Sequence, residues 1–293
     1  MVKVIMSKVC GLCAGSKLAI DNTRECAKTK NNVVLFKEIL HNKNVLSQLG
    51  KSGVKVKNSL GEMRKDDFVI VRAHGEPKST FDYFDEHGID YLDCTCPNVR
   101  AINRLVNEKD KEGYKIILIG KYGYGGKPMH PEVQGTAGWC TAPLFIEDES
   151  EIELLDMSFD KYFLVVQTTF SKDKALKFIE LIKDKMQKHN KIFEYKNTIC
   201  FAQKNINIES CKLAQDVDAM IVIGGKNSSN TKELYNSLKE LKPSYHIEDE
   251  VDLLNLIHEG KLNNLKVIGL TAGASTMQED IENIKNILEA QLS

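Results

Sequence analysis

Short β-rich runs alternate with amphipathic helical segments along all 293 residues, and this alternation limits the fold more than any other feature. The strand candidates include Val2–Met6, Val33–Phe36, Phe68–Arg72, Lys115–Ile119, Tyr162–Gln167, Lys191–Tyr195, Ala219–Ile223 and Lys266–Leu270. Helical periodicity fills intervals such as Asn42–Lys51, Lys78–His87, Asn98–Lys111, Lys172–His189, Thr231–Leu241 and Glu279–Leu292. Strands joined through helices run parallel, so the expected class is α/β, with mainly parallel sheets covered by helices. Ile116-Ile117-Leu118-Ile119 and Met220-Ile221-Val222-Ile223 are apolar throughout, as strands buried on both faces must be.

The chain is longer than one hydrophobic core usually serves, which predicts two or three domains. Cysteines divide it into rough thirds. Cys13, Cys96 and Cys200 each lie where a strand candidate runs out, separated by 96 − 13 = 83 and 200 − 96 = 104 residues. Open α/β sheets place their ligand sites at the carboxyl ends of strands. If three similar units pack about a pseudo-threefold axis, these ends converge. The expected boundaries are 1–96, 97–196 and 197–293.

Composition narrows the function. A net charge of −1 gives no long-range field for nucleic acid or an anionic membrane, so any anion binding must come from a local pocket. No apolar stretch approaches the roughly 18 residues that span a bilayer. Met1-Val2-Lys3-Val4-Ile5-Met6 lacks a signal-peptide apolar region, and the expected location is the cytoplasm. There the eight cysteines should remain thiols rather than a disulfide framework. Cys26 and Cys211 fall inside helical patterns and Cys140 has no partner motif, so all three read as structural.

Three thiolates from Cys13, Cys96 and Cys200 would hold an iron–sulfur cluster by three irons and leave the fourth open to substrate. Spacing alone equally allows three unrelated buried thiols. Zinc is a weaker competitor, invited by Cys10-Gly11-Leu12-Cys13 and Cys94-Thr95-Cys96 but lacking a second C-x-x-C. Gly224–Asn230 is a Gly-Gly turn with hydroxyl and amide side chains that opens a helix, a setting that favours phosphate. Thr271–Ser275 repeats the arrangement before the last helix. Ser229 and Asn230 can equally be plain helix caps. His41, His74 and His130 adjoin turns where they can donate to phosphate oxygens. Glu132, fixed by Pro131 amid glycines, suits a proton donor; an exposed loop glutamate is the plain alternative.

The pieces then form a pattern in order. Cys13-Ala14-Gly15, Leu40-His41-Asn42, Ala73-His74-Gly75, Thr95-Cys96-Pro97 and His130-Pro131-Glu132-Val133 are followed by Gln167-Thr168-Thr169 and Ile199-Cys200. Lys226-Asn227-Ser228-Ser229-Asn230 and Thr271-Ala272-Gly273-Ala274-Ser275 complete it. The chain resembles the LytB/IspH family, 4-hydroxy-3-methylbut-2-enyl diphosphate reductases of the non-mevalonate isoprenoid pathway. The resemblance implies a trefoil of three α/β units around a central 4Fe–4S cluster held by Cys13, Cys96 and Cys200. It implies diphosphate binding by His41, His74, His130, Ser228, Asn230 and Ser275, with Ser229 nearby. Thr168 would lie near the substrate hydroxyl, with Thr169 adjacent, and Glu132 would relay protons. The implied reaction is reductive dehydroxylation to isopentenyl or dimethylallyl diphosphate, with electrons from a ferredoxin or flavodoxin.

Three stretches differ from the family pattern. Cys10 replaces the usual arginine, Gln203-Lys204-Asn205-Ile206-Asn207 replaces a Thr-x-x-Arg-Gln run, and Lys121–Met129 is longer and richer in glycine. They keep two other readings open. One is a related iron–sulfur reductase with another substrate. The other is a non-catalytic redox or sensor protein in which Cys10 closes the fourth iron.

Overall fold

The computed structural model describes residues 2–39, 43–226 and 228–292. Strand β1 (Lys3–Met6) leads to α1 (Ala14–Thr29), β2 (Val33–Phe36), α2 (Lys43–Lys51) and β3 (Lys55–Lys57). Next come β4 (Phe68–Val71), α3 (Lys78–His87), β5 (Asp90–Asp93) and α4 (Pro97–Lys111). The middle of the chain forms β6 (Lys115–Ile119), α5 (Pro131–Ala137), β7 (Leu144–Ile146), α6 (Ser150–Glu153), β8 (Lys161–Val166), α7 (Lys172–Lys188) and β9 (Ile192–Lys196). The last part forms α8 (Phe201–Gln215), β10 (Ala219–Ile223), α9 (Ser229–Lys239), β11 (Ser244–Ile247), α10 (Glu250–His258), β12 (Val267–Ala272) and α11 (Gln278–Gln291).

These strands make three four-stranded sheets, ordered β3-β2-β4-β5, β7-β6-β8-β9 and β11-β10-β12-β1. Every strand pair is parallel. The layout is the same each time: one strand is flanked by its successor at the edge, and two further strands continue the other way. The fold class is therefore α/β with three similar parallel units, as the alternation predicts. One placement differs from the sequence reading. β1 pairs with β12, Lys3 opposite Val267 through Met6 opposite Leu270, so it completes the last sheet rather than the unit expected over 1–96. Its partner is more than 260 residues away, and no local pattern announces the pairing.

The described chain divides into two compact units. One comprises Met1–Lys17, Leu40–Lys51 and Phe201–Ser293, and contains the β11-β10-β12-β1 sheet. The other comprises Leu18–Ile39 and Ser52–Cys200, and contains the other two sheets. In the second unit, Ile116 to Ile119 of β6 are fully buried, covered on one side by Ile102 and Val106 of α4 and on the other by Phe178, Ile179 and Ile182 of α7. In the first, β10 is buried between Leu234 and Leu238 of α9 and Ile281, Ile284 and Leu288 of α11. Apolar residues three and four apart on each helix create these faces. Helix ends follow capping rules. The Asp249 side chain accepts the Val251 and Asp252 N–H groups at 3.0 Å each, starting α10, and Gly88 stops α3 in the left-handed conformation. Among the described residues no helix is long and apolar enough to cross a membrane.

Candidate functional site

Each of Cys13, Cys96 and Cys200 immediately precedes a helix, α1, α4 and α8 respectively. At such a position the free N–H groups of the first helical turn lie close to the side chain. Ser16 N–H donates to Cys13 Sγ at 3.5 Å, and the Ser16 hydroxyl lies 3.3 Å from the same sulfur. Cys96 is the N-cap of α4, with Pro97 as first helical residue. Two residues on, Asn98 Nδ2 donates to Cys200 Sγ at 3.4 Å, so the start of α4 and Cys200 share one place in the second unit.

The Cys94–Cys96 segment is held firmly. Cys94 and Cys96 N–H groups extend the β5–β4 ladder to the Val71 and Ala73 carbonyls at 3.1 and 3.0 Å. Arg100 reaches back from α4, donating to Asp93 O at 2.9 Å and pairing with Asp93 Oδ2 at 3.1 Å. The Asp93 carboxylate also accepts the Thr95 N–H and hydroxyl.

From Cys200 a run of contacts leads away through the second unit. Its N–H donates to Thr168 O at 2.8 Å. Thr168 N–H donates to Glu132 Oε1 at 2.6 Å, and Thr168 Oγ1 donates to Glu132 Oε2 at 2.7 Å. Glu132 is 3% exposed, and burial raises its pKa against the opposing pull of those two bonds. Glu132 N–H in turn donates to His130 Nδ1 at 3.2 Å. Because Nδ1 accepts, the neutral His130 ring carries its proton on Nε2, where it is a donor. His74 stands edge-on to His130, ring centroids 5.5 Å apart at 83°. It lies in a tight turn closed by Gly75 N–H to Arg72 O at 3.0 Å, with Gly75 at φ +73°.

Of the residues singled out from sequence, Cys96, Cys200, His74, His130, Glu132 and Thr168 thus come together in this unit. Thr169 is exposed, and its hydroxyl accepts Gln167 Nε2 at 2.9 Å. In the other unit Cys13 N–H donates to Ala274 O at 3.2 Å, which brings Cys13 to the Thr271–Ser275 loop. Ile223 and Ala272 are paired, so the Gly224–Asn230 and Gly273–Ser275 loops leave adjacent strand ends. Ser228 caps α9 by accepting Thr231 N–H at 3.3 Å, and Asn230 lies in that helix's first turn. His41 lies outside the described residues, as does the side chain of Ser229.

The other cysteines do not join. Cys10 Sγ donates to Ser7 O at 3.5 Å and packs on the apolar cluster around Ile281, and burial pushes its thiol pKa up. Cys94 is 1% exposed and accepts Asn22 Nδ2 at 3.7 Å, with its pKa likewise raised by burial. Among the described residues no three His, Cys, Asp or Glu side chains form a ready site for a single metal ion. A cavity of about 480 Å³ lined by Asn32, Lys57, Arg64 and Asp67 contains none of the residues above. Sequence reasoning passed over Asn98 and Ser16; Ser16 at the third helical position after Cys13 was the available signal.

The chain matches the family model described as LytB protein over residues 4–289. The 4-hydroxy-3-methylbut-2-enyl diphosphate reductase of Alkaliphilus oremlandii is 35% identical over 98% of this chain and 100% of its own length. That of Clostridioides difficile is 32% identical over 98% and 99%. A solved structure of (E)-4-hydroxy-3-methyl-but-2-enyl diphosphate reductase, described as the terminal enzyme of the non-mevalonate pathway, superposes with TM-score 0.79 at 32% identity. It covers 99% of this chain and 100% of that one. The Plasmodium falciparum reductase gives TM-score 0.80 at 29% identity, covering 98% and 88%. With a match over nearly every residue, the chain belongs to the LytB protein family.

Proposed function

We propose that this chain reduces (E)-4-hydroxy-3-methylbut-2-enyl diphosphate to isopentenyl and dimethylallyl diphosphate, with a 4Fe–4S cluster on Cys13, Cys96 and Cys200. The observation that carries the reading is the run from Cys96 and Cys200 through Thr168, Glu132 and His130 to His74. It joins a thiolate site, a proton source and ring N–H donors within one unit. The donor set fits the cluster: each thiol stands at a helix start, and N–H groups point at the Cys13 and Cys200 sulfurs. A bound cluster of this type supplies electrons and an open iron with Lewis-acid character.

The reaction consumes two electrons and two protons. The allylic C–O bond breaks, the hydroxyl leaves as water with one proton, and a carbon of the allyl unit takes the other. Glu132 is the proton source, because its burial favours the protonated form. While Glu132 is ionised, the Thr168 hydroxyl is committed to it as donor. Once Glu132 is protonated the carboxyl can donate instead, and Thr168 can turn its hydrogen to the substrate hydroxyl. His74 and His130, with His41, Ser228, Asn230 and Ser275, hold the diphosphate, which restricts how the allylic end can lie. Thr169 and Ser229 flank these groups. The electron donor is a reduced ferredoxin- or flavodoxin-type protein. The test is anaerobic assay of the cluster-loaded protein with a reduced donor and the hydroxymethylbutenyl substrate. Formation of both diphosphate products supports the reading, and an intact cluster without product rejects it.

A further inference from the structure

The turn that carries His74 is tied down by charges that hardly touch solvent. Glu76 is 1% exposed and Arg72 6%. Arg72 Nε donates to Glu76 Oε1 at 2.9 Å, and Lys37 Nζ donates to Glu76 Oε2 at 2.7 Å. Arg72 follows β4 and Lys37 follows β2, and the strands' last residues, Val71 and Phe36, are paired. Lys37 holds φ +65°, a left-handed backbone that few side chains adopt without cost, while its N–H donates to Lys57 O at 2.8 Å. One carboxylate therefore bridges two strand ends, with His74 inside the loop it closes.

The same turn supports the helix bearing His130 and Glu132. Trp139 Nε1, just beyond α5, donates to the Glu76 carbonyl at 3.1 Å. A Cβ on Gly138 would lie 2.7 Å from Pro77 Cα, so the end of α5 rests directly on this backbone. A buried ion group seldom stabilises a fold more than apolar side chains of equal volume would, and its best-attested use is to enforce a single arrangement. What this group arranges is the His74 turn against α5.

We propose that Glu76, bridged by Lys37 and Arg72, is a positioning residue that sets His74 beside His130 for the substrate's diphosphate. The inference rests on the reading of His74 as a diphosphate ligand. Its test is calorimetric titration of inorganic diphosphate into anaerobic, cluster-loaded wild type, Glu76→Gln, His74→Ala and the double variant. Each single substitution should weaken binding at least several-fold. The double variant should bind no more weakly than His74→Ala alone, because Glu76 acts through that ring. Wild-type affinity in Glu76→Gln, or losses that simply add, overturns the role of Glu76 and leaves His74 standing. Wild-type affinity in His74→Ala overturns both. Should Glu76→Gln fail to fold, Lys37→Met keeps the Arg72–Glu76 pair, and the same outcomes apply.

Discussion

Thr168 holds Glu132 with both of its donors, N–H to Oε1 at 2.6 Å and hydroxyl to Oε2 at 2.7 Å. A glutamine of the same shape keeps both contacts: its oxygen accepts the N–H and its amide nitrogen donates to the hydroxyl. It has no proton to transfer. Glu132→Gln should therefore reduce turnover by about 10²- to 10⁴-fold, the usual worth of general acid–base catalysis. Iron and sulfide content should stay at wild-type levels. Unchanged turnover would remove Glu132 from proton delivery.

The same burial has a signature in stability. The Glu132 pKa is raised above its ordinary 4.5, so the folded state holds that proton more tightly than the unfolded chain does. Its contribution is fully present below about pH 4.5 and is lost as pH rises through the raised folded value. Glutamine suffers no such loss. The melting temperature of Glu132→Gln relative to wild type should climb as pH increases from about 5 to 8. A difference that does not change with pH would contradict the raised pKa.

Asn98 Nδ2 donates to Cys200 Sγ at 3.4 Å. A hydrogen bond to a cluster sulfur stabilises the more negative, reduced state. Asn98→Leu should therefore move the midpoint potential of the loaded protein to more negative values, read by redox titration with the iron content held equal. No movement, or a movement to more positive values, would show that this bond does not act on the cluster.

The cysteines should separate into two classes. Cys96→Ser should lose iron on anaerobic reconstitution while Cys26→Ser retains it, and equal loss would mean the ligand assignment is wrong. Cys140 is the extreme of the other class, its thiol pushed up to about 12 by burial and the nearby Asp110 carboxylate. Mass spectrometry after mild alkylation at pH 8 should find it essentially unmodified.

Gly138 ends α5 against Pro77, where an added Cβ would stand 2.3 Å from the proline Cβ. Gly138→Ala must displace backbone at that contact and should destabilise the fold by about 1–3 kcal/mol, measurable by urea unfolding. Wild-type stability would show that the turn and helix can separate without cost.

How much of this was open to reading from residues alone follows from range. Fully apolar runs such as Ile116–Ile119 and Met220–Ile223 named the central strands, because a strand covered on both faces has no polar position. β3, β7 and β11 were not anticipated. Each is three or four residues at the corresponding edge of its sheet and partly open to solvent; β3 and β11 are largely polar, and the apolar β7 is only three residues long, too short to stand out. At the candidate site, the sequence singled out Cys13, Cys96 and Cys200 from strand ends and Glu132 from Pro131 and the surrounding glycines, all local features; that each also adjoins a helix start emerges from the structure.

The sequence by itself thus determined the α/β class and the alternation of the central strands with helices, through short-range periodicity. Tertiary structure alone decided that β1 completes the last sheet, that Asn98 meets a sulfur 102 residues away, and that Lys37 and Arg72 share Glu76. Those partners depend on which strand ends lie side by side. Burial and hydrogen bonding across the whole fold select that pairing, and no local window contains it.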